Sequence, residues 1–485
     1  MIPQAFWLIA LPIGAVPIVY LLRRVGTGAV LAALVALLSA WWVTRLPTGI
    51  IFNFLGRNVE LDHLSQITLS LLFATTALLF LIPTFLPKVR PKHRSGVPAA
   101  GVSWSDNRTF YPVGLAILGL FGAASLSRHV GIVAILIEVA VILTVFVIQG
   151  TRVDSTRAAL RFLVLLSLAT PLFLLAAWRI DFYQLSGGLQ TNGNLEQTTL
   201  LIGFGFALWL AVVPFHSWLT TTSAEAAPAT AAFVFIAFPI IAFTTMIHLL
   251  TDFPWLVDSP QAVQAIIMGG LATALLSGIL AAVQRGFSEL MGYAALYDLG
   301  CTLVALGLGG PAGVITILVS LIVRALALTL IAASASAIRV RAGSDGFAEL
   351  REVAQQMPIA TAGLILGGLT LAGVPFTAGF APHWQLLRLL AEVEPRGSVL
   401  VALAGLGVAL GYLRGFRSTL LPRRFAKSTL KSSAKSAVVF TVQEPPLLLG
   451  LIILLSATTI LLGLFPAVLI EPVQVLAGGI SIPIR

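Results

Sequence analysis

Charge is what this sequence has least of. Only 10% of its 485 residues are Asp, Glu, Lys or Arg, against about 25% in a soluble globular domain, so no surface of ordinary size faces water. Acid is scarcer than base, at 19 against 29. Cysteine is almost absent. Cys301 alone excludes a disulfide within the chain and any cysteine-ligated cluster held by this subunit by itself. The first apolar run lacks the basic flank and small-residue cleavage site of a signal peptide and is expected to be retained. There is no P-loop, no dinucleotide fingerprint after a strand, no HExxH and no serine elbow, so a self-contained enzyme is not expected.

What fills the sequence instead is apolar. Hydrophobic residues make up 58% and the mean hydropathy is +0.99. Runs of about 20 apolar residues recur along nearly the whole length, which fits α-helices crossing a hydrocarbon core of about 30 Å rather than barrel strands. The expected class is therefore an all-α integral membrane protein of about fourteen spans. Their limits are near 4 to 22, 27 to 46, 63 to 86, 110 to 127, 130 to 149, 157 to 178, 197 to 220, 226 to 249, 261 to 283, 289 to 307, 311 to 337, 357 to 395, 398 to 416 and 446 to 470. The net charge of +10 does not point to nucleic acid, because the basic residues lie between spans and not on one face. Assigning loops alternately puts about twenty of the 29 on one side, with Arg23, Arg24, Lys88, Arg90, Lys92, Arg94 and the block from Arg417 to Lys435. That side reads as cytoplasmic, so both termini are expected on the other. The basic loops 87–108 and 417–445 read as solvated, with docking to anionic lipid or a partner as the alternative.

Val-Pro-Phe occurs twice inside apolar runs, in AVVPFHSW at Pro214 and AGVPFTAG at Pro375, each about fifty residues after an arginine in another run, Arg161 or Arg324. Proline in a membrane helix frees a carbonyl that lipid cannot satisfy, so corresponding prolines point to two broken helices lining a polar cavity. The marks suggest a duplication: a lead-in at 1–109, a five-helix repeat at 110–249, a second at 260–416, and a basic loop with a closing helix at 417–485. An odd number of spans per unit inverts the second unit relative to the first.

Ionisable side chains at bilayer depth cost at least about 2.5 to 3.5 kcal/mol each, so each needs a reason. Glu138 lies about 12 Å into its span by helical rise. It reads either as a proton-relay carboxylate or as a permanent partner of Arg161 locking two helices. Asp298 is placed to pair with Arg324, passing a proton or pinning helices. His383, directly after Pro382 at the second break, either titrates near neutral pH or bonds freed backbone. His216, two residues after Pro214, reads as a proton entry or as a cap for released carbonyls. Glu225, Glu289, His248, Asp252 and Asp258 lie at or near span ends and read as solvated. Arg388 extends a polar track or snorkels.

These segments resemble a known family, the antiporter-like membrane subunits of complex I (NADH:quinone oxidoreductase), related to Mrp antiporter and membrane-bound hydrogenase subunits. The matching segments are LDHLSQITLSLLF at Asp62, the acid span at Glu138, AALRFLVLLSLA at Arg161, VVPFHSWLTTTSAEAAPATAA, ELMGYAALYDLG, VRALALTLIA at Arg324 and LAGVPFTAGFAPHW. The resemblance implies fourteen spans with inverted repeats, proton translocation through Glu138, Arg161, His216, Asp298, Arg324 and His383, and helix breaks at Pro214, Pro375 and Pro382. It also implies other membrane-arm subunits as partners, with quinone, flavin and Fe-S clusters confined to them, and a bacterial inner membrane as the location. Two departures stand out. Lysines usual in helices seven and eight fall at Trp209 and at Ile240 or its neighbour Pro239, both apolar. Either water bridges these positions, or the first half no longer conducts and the subunit is a scaffold; a stand-alone cation/proton antiporter is a third reading.

Overall fold

The computed structural model describes residues 4–23, 26–49, 51–54, 57–86, 109–150, 155–185, 192–342, 344–421, 445–477 and 480. Most of both basic loops therefore lies outside the described residues, as do Arg24 and the last five residues. The described chain is helical throughout, with one exception that the all-α expectation missed. Strands β1 (Ile51–Phe54) and β2 (Arg57–Glu60) form an antiparallel hairpin with Ile51 opposite Glu60. It sits between the helices ending at Arg45 and starting at His63, and its Val59 bridges to Ser127.

The helices are α1 (Trp7–Leu22), α2 (Thr27–Arg45), α3 (His63–Phe85), α4 (Phe110–Leu126), α5 (Val130–Gln149), α6 (Thr156–Ser167), α7 (Ala169–Leu185), α8 (Asn192–Trp209) and α9 (Ser217–Glu225). There follow α10 (Pro228–Asp252), α11 (Pro260–Val283), α12 (Phe287–Leu308), α13 (Gly310–Ala342), the short α14 (Val353–Gln356), α15 (Pro358–Leu371), α16 (Phe380–Val393), α17 (Pro395–Leu420), α18 (Pro446–Leu464) and α19 (Ala467–Ala477). Starts are marked by chemistry legible in the sequence. Proline opens α10, α11, α15, α17 and α18, where its missing N–H costs nothing. Asp62 caps α3 by accepting the Ser65 amide at 2.9 Å.

Among the described residues, eleven helices are long and apolar enough to cross a membrane, counting α6 with α7 as one. This makes the chain an integral membrane protein. Outside that eleven stand α4, at 17 residues, and the two pairs α8/α9 and α15/α16, interrupted at 210–216 and 372–379. These breaks coincide with Pro214 and Pro375. Pro382, expected as a further break, instead lies in the first turn of α16, where a missing N–H is tolerated. A third discontinuity, not expected, separates α6 from α7 at Leu168.

α10 and α12 are buried along almost their whole length and α13 along most of it, whereas α1 and α18 present most of their residues outward. A helix apolar on every side is stable only inside a larger bundle, and these three form its centre. With no hydrophobic drive between helices in lipid, packing depends on close approach. A Cβ at Gly300 on α12 would lie 2.6 Å from the Ala274 amide nitrogen of α11, and one at Gly270 would lie 2.8 Å from the Gly300 carbonyl. Gly300→Leu is therefore expected to cost at least about 3 kcal/mol and to lower the melting temperature of the detergent-solubilised protein by several degrees. Gly450→Leu on α18, where a Cβ meets nothing within 4 Å, is expected to leave it unchanged.

Candidate proton-conducting site

The centre of the bundle holds one charge that cannot be neutralised. Arg324, on α13, is 1% exposed, and a guanidinium stays protonated in proteins. It is held by three bonds to two neighbouring helices. Its Nη1 donates to Asp298 Oδ2 at 2.7 Å and to the Ala295 carbonyl at 2.8 Å, both on α12. Its Nε donates to the Phe235 carbonyl on α10 at 2.8 Å. That carbonyl is available for a stated reason: its helical partner would be the amide four residues on, and residue 239 is Pro239, inside α10. The Nη2 remains buried without a hydrogen-bond partner. The expected Asp298 and Arg324 pair thus forms, in a geometry strong enough to offset part of the burial cost.

Beside this pair lies the second break. Asp298's neighbour Tyr297 stacks on His383, with ring centroids 5.5 Å apart and planes 15° from parallel. The Tyr297 hydroxyl donates to the Val401 carbonyl at 3.3 Å. His383 Nδ1 bonds the Gly379 carbonyl at 2.8 Å, while its Nε2 is buried with no partner. Gly373, at φ 72°, makes room for the ring, since a Cβ there would meet His383 at 2.6 Å. Two buried contacts thus meet on α12, the Tyr297 ring stacked on His383 of α16 and, at the next residue, Asp298 paired with Arg324 of α13.

The first half is furnished differently. Glu138 on α5 accepts the Ser167 hydroxyl at 2.6 Å and the Thr170 hydroxyl at 2.7 Å, so both carboxylate oxygens are bonded where α6 gives way to α7. Arg161 faces outward from α6. The considered Glu138 and Arg161 lock is therefore not how Glu138 is held. Trp209, buried, ends α8 packed on Phe173 and Phe206 at centroid distances of 4.2 and 5.8 Å. Ile240 is buried in α10.

At the first break the freed Leu208 carbonyl accepts Trp218 Nε1 at 3.1 Å. The Val213 amide reaches Thr273 Oγ1 on α11 at 3.1 Å. His216 caps α9 through its backbone carbonyl, which accepts the Leu219 amide at 3.2 Å, and its ring lies against the Pro214 carbonyl. The two breaks share a backbone pattern. Val212 N–H bonds Ala207 O and Phe215 N–H bonds Val212 O; Val374 N–H bonds Leu369 O and Thr377 N–H bonds Val374 O. Matching these bonds pairs Val212 with Val374, one residue out of step with the Val-Pro-Phe triplets.

Several residues read as solvated are engaged. His248 is buried and its Nε2 lies 2.9 Å from Asp62 Oδ2. Arg128 bridges Asp62 at 3.2 Å, Glu60 at 3.6 Å and Asp252 at 3.8 Å, joining the hairpin to the ends of α3, α4 and α10. Glu225 accepts the Ala158 amide of α6 at 2.8 Å. Glu289 is exposed, as read, and so is Arg388, expected to extend a polar track or to snorkel. Arg339, not singled out by sequence, is buried on α13 and donates to the Ala226 carbonyl at 3.2 Å.

Residues 127–410 match the transmembrane family of NADH:quinone oxidoreductases and Mrp antiporters. The chain belongs to that family. It is 30% identical to NADH-quinone oxidoreductase subunit N of Chromohalobacter salexigens over 62% of each chain, and 25% identical to formate hydrogenlyase subunit 3 of Escherichia coli over 64% of this chain and 53% of that one. These alignments span less than two thirds of either relative. The fold extends further: an Mrp complex chain from a Dietzia species superposes with a TM-score of 0.79 over 99% of this chain and 98% of that one at 17% identity. A chain of respiratory complex I from Thermus thermophilus gives 0.75 over 99% and 100% at 19% identity. Within this antiporter-like family, the resemblance places a helix-eight lysine at Ile240 or Pro239. Here Pro239 frees the carbonyl that receives Arg324.

Removing a proline from a helix interior ordinarily stabilises by up to about 3 kcal/mol. Pro239→Ala is expected to gain nothing in thermal unfolding, because the introduced amide competes with Arg324 Nε for the Phe235 carbonyl; a melting temperature raised by several degrees would refute this. A second expectation concerns pH. Burial opposes ionisation of Asp62, but the His248 bond and charge, the Ser65 amide and Arg128 overcome it and hold the carboxyl well below the usual carboxylate range. A depressed pKa contributes stability that is complete above the unfolded value of 3.8 and is lost as pH falls through the folded one. Asp62→Asn should therefore lower the melting temperature at pH 7 by several degrees. The gap from the unmodified protein should hold to about pH 5 and narrow only below the ordinary carboxylate pKa.

Proposed function

We propose that this chain is a proton-translocating membrane-arm subunit of a complex I-like, redox-driven assembly, and that its second half carries the proton. In this reading it has fourteen spans: the eleven long helices, α4, and the two broken pairs. The units 110–249 and 260–416 are inverted repeats, preceded by the lead-in at 1–109 and followed by the loop and helix at 417–485. Both termini lie outside the cytoplasm of a bacterial inner membrane. Quinone, flavin and Fe-S clusters belong to partner subunits that transfer the electrons.

The observation that carries the reading is the buried group at the second break. His383 keeps an unpartnered Nε2 beside Tyr297, and Asp298 is set by a cation of fixed charge. In this reading His383 takes up and gives up the proton at its unpartnered Nε2, and the Tyr297 ring stacked on it links it to the helix that carries Asp298. In the first half Glu138 rests on two hydroxyls and the lysine positions are filled by Trp209 and by Ile240 or Pro239.

A scaffold reading is favoured by the same aromatic packing at Trp209 if it is taken to represent the whole chain. Proton-to-electron stoichiometry of the intact assembly in reconstituted vesicles separates the two. His383→Gln, which keeps a hydrogen-bonding side chain without the titration, is expected to lower the ratio by about the share of one subunit while assembly persists. Glu138→Gln is expected to leave it unchanged. An unchanged ratio in both variants would establish the scaffold, and co-purification without any redox subunit would favour an antiporter of the Mrp type.

A further inference from the structure

Between the two halves, against the first break, lies a cavity of about 330 Å3. Its walls come from α8 (Leu200, Gly203, Ala207), from the break itself (Val212 to Phe215), from the end of α10 (Leu249, Leu250) and from α11 (Ala262, Ile266, Gly269). The single hydroxyl among the described lining residues belongs to Thr199, and it donates to the Leu195 carbonyl in its own helix at 3.1 Å. The Val213 amide is likewise taken by Thr273. A buried water needs two to four polar partners, and the side chains lining this space offer at most the one hydroxyl.

The alternative filling is set by where the cavity lies. Leu200 and Phe204 at its margin are 60% and 54% exposed on a membrane-spanning helix, so its mouth opens to hydrocarbon. A dry apolar cavity of about 150 Å3 already binds benzene, and this one is roughly twice that size. Its lining runs from Leu256, Val257 and Ala262, where α10 passes to α11, down to Gly269 on α11, about 10 Å by helical rise. That geometry suits a chain entering from the bilayer interface at the α10 to α11 turn. It does not suit a compact ring entering from water.

We propose that the cavity is an acyl-chain site, seating one tail of a bilayer phospholipid between the two halves with its end against Val212 to Phe215. The seated tail fills the space beside the broken helix, where its atoms supply the dispersion contacts a void forfeits. The site asks nothing of the headgroup beyond its lying near the α10 to α11 turn.

Gly203 suits the test, because it lines the cavity and a Cβ there meets nothing within 4 Å. The intact complex, purified in mild detergent and washed extensively, is analysed by native mass spectrometry and lipid extraction, as the unmodified protein, Gly203→Leu and the control Gly450→Leu. The unmodified complex and the control are expected to retain one phospholipid more per copy of this chain than Gly203→Leu, which is expected to melt no lower. Equal phospholipid retention in all three would overturn the proposal, as would a quinone or a detergent molecule being the species that Gly203→Leu displaces. Should Gly203→Leu unfold, the intact complex in bilayers of phospholipid brominated on the acyl chain supplies the second readout. Quenching of a Gly203→Trp variant stronger than that of a Gly450→Trp variant on the outer face supports the site, and equal or weaker quenching overturns it.

Discussion

A guanidinium at the middle of a helix bundle constrains everything around it. Arg324 cannot shed its proton, so it must be met by acceptors wherever the fold puts it, and the acceptors here belong to α10 and α12. Those two helices and α13 are consequently the most enclosed in the molecule, and their contacts bring the first half of the chain against the second. Each acceptor has its own origin. Asp298 supplies the countercharge, Ala295 lends a helical carbonyl that shares its bond, and Phe235 offers one that Pro239 has left without an amide. Breaking any one of them leaves a buried charge less than fully met, which costs more than the bond itself contributes.

The same constraint explains why the two halves differ in chemistry while sharing a fold. Their breaks follow one backbone pattern, closing over Val212 and Val374 through corresponding bonds. Around the second, polar side chains remain with capacity to spare: the Nη2 of Arg324 and the Nε2 of His383. Around the first, Trp218 takes the Leu208 carbonyl and Thr273 the Val213 amide, while the Nε1 of Trp209 and the Nδ1 of His216 are likewise buried without a partner. The difference lies in charge, since the second half holds a guanidinium paired with a carboxylate inside the bundle.

Much of this was legible in the sequence, and the reasons it was are physical. Length and hydropathy place the helices to within a few residues because lipid leaves the backbone few alternatives. The pairing of Asp298 with Arg324 follows from the expense of isolating either. The breaks at Pro214 and Pro375 follow from the freed carbonyls. Pro382 misled because the same residue that interrupts a helix also starts one, and the difference depends on where the preceding turn ends. The hairpin at 51–60 is too short to announce itself against so many helices. His248 and Asp62, 186 residues apart, meet only after the bundle closes, and no local pattern marks His248 as buried rather than solvated.

Pro239 is the residue whose meaning changes most between sequence and structure. In the sequence it lies where the family resemblance leads one to look for a lysine, and it counts as a loss. In the fold it opens the Phe235 carbonyl to a cation arriving from α13, so positive charge reaches this depth of α10 by another route. A lysine there would carry a charge that burial can remove. The guanidinium carries one that it cannot, so the charge met at the Phe235 carbonyl is permanent. Trp209 in the first half carries no charge, and its ring packs on Phe173 and Phe206. Fixed charge inside the bundle is thus met by a carboxylate on α12 and by the carbonyl that Pro239 opens on α10.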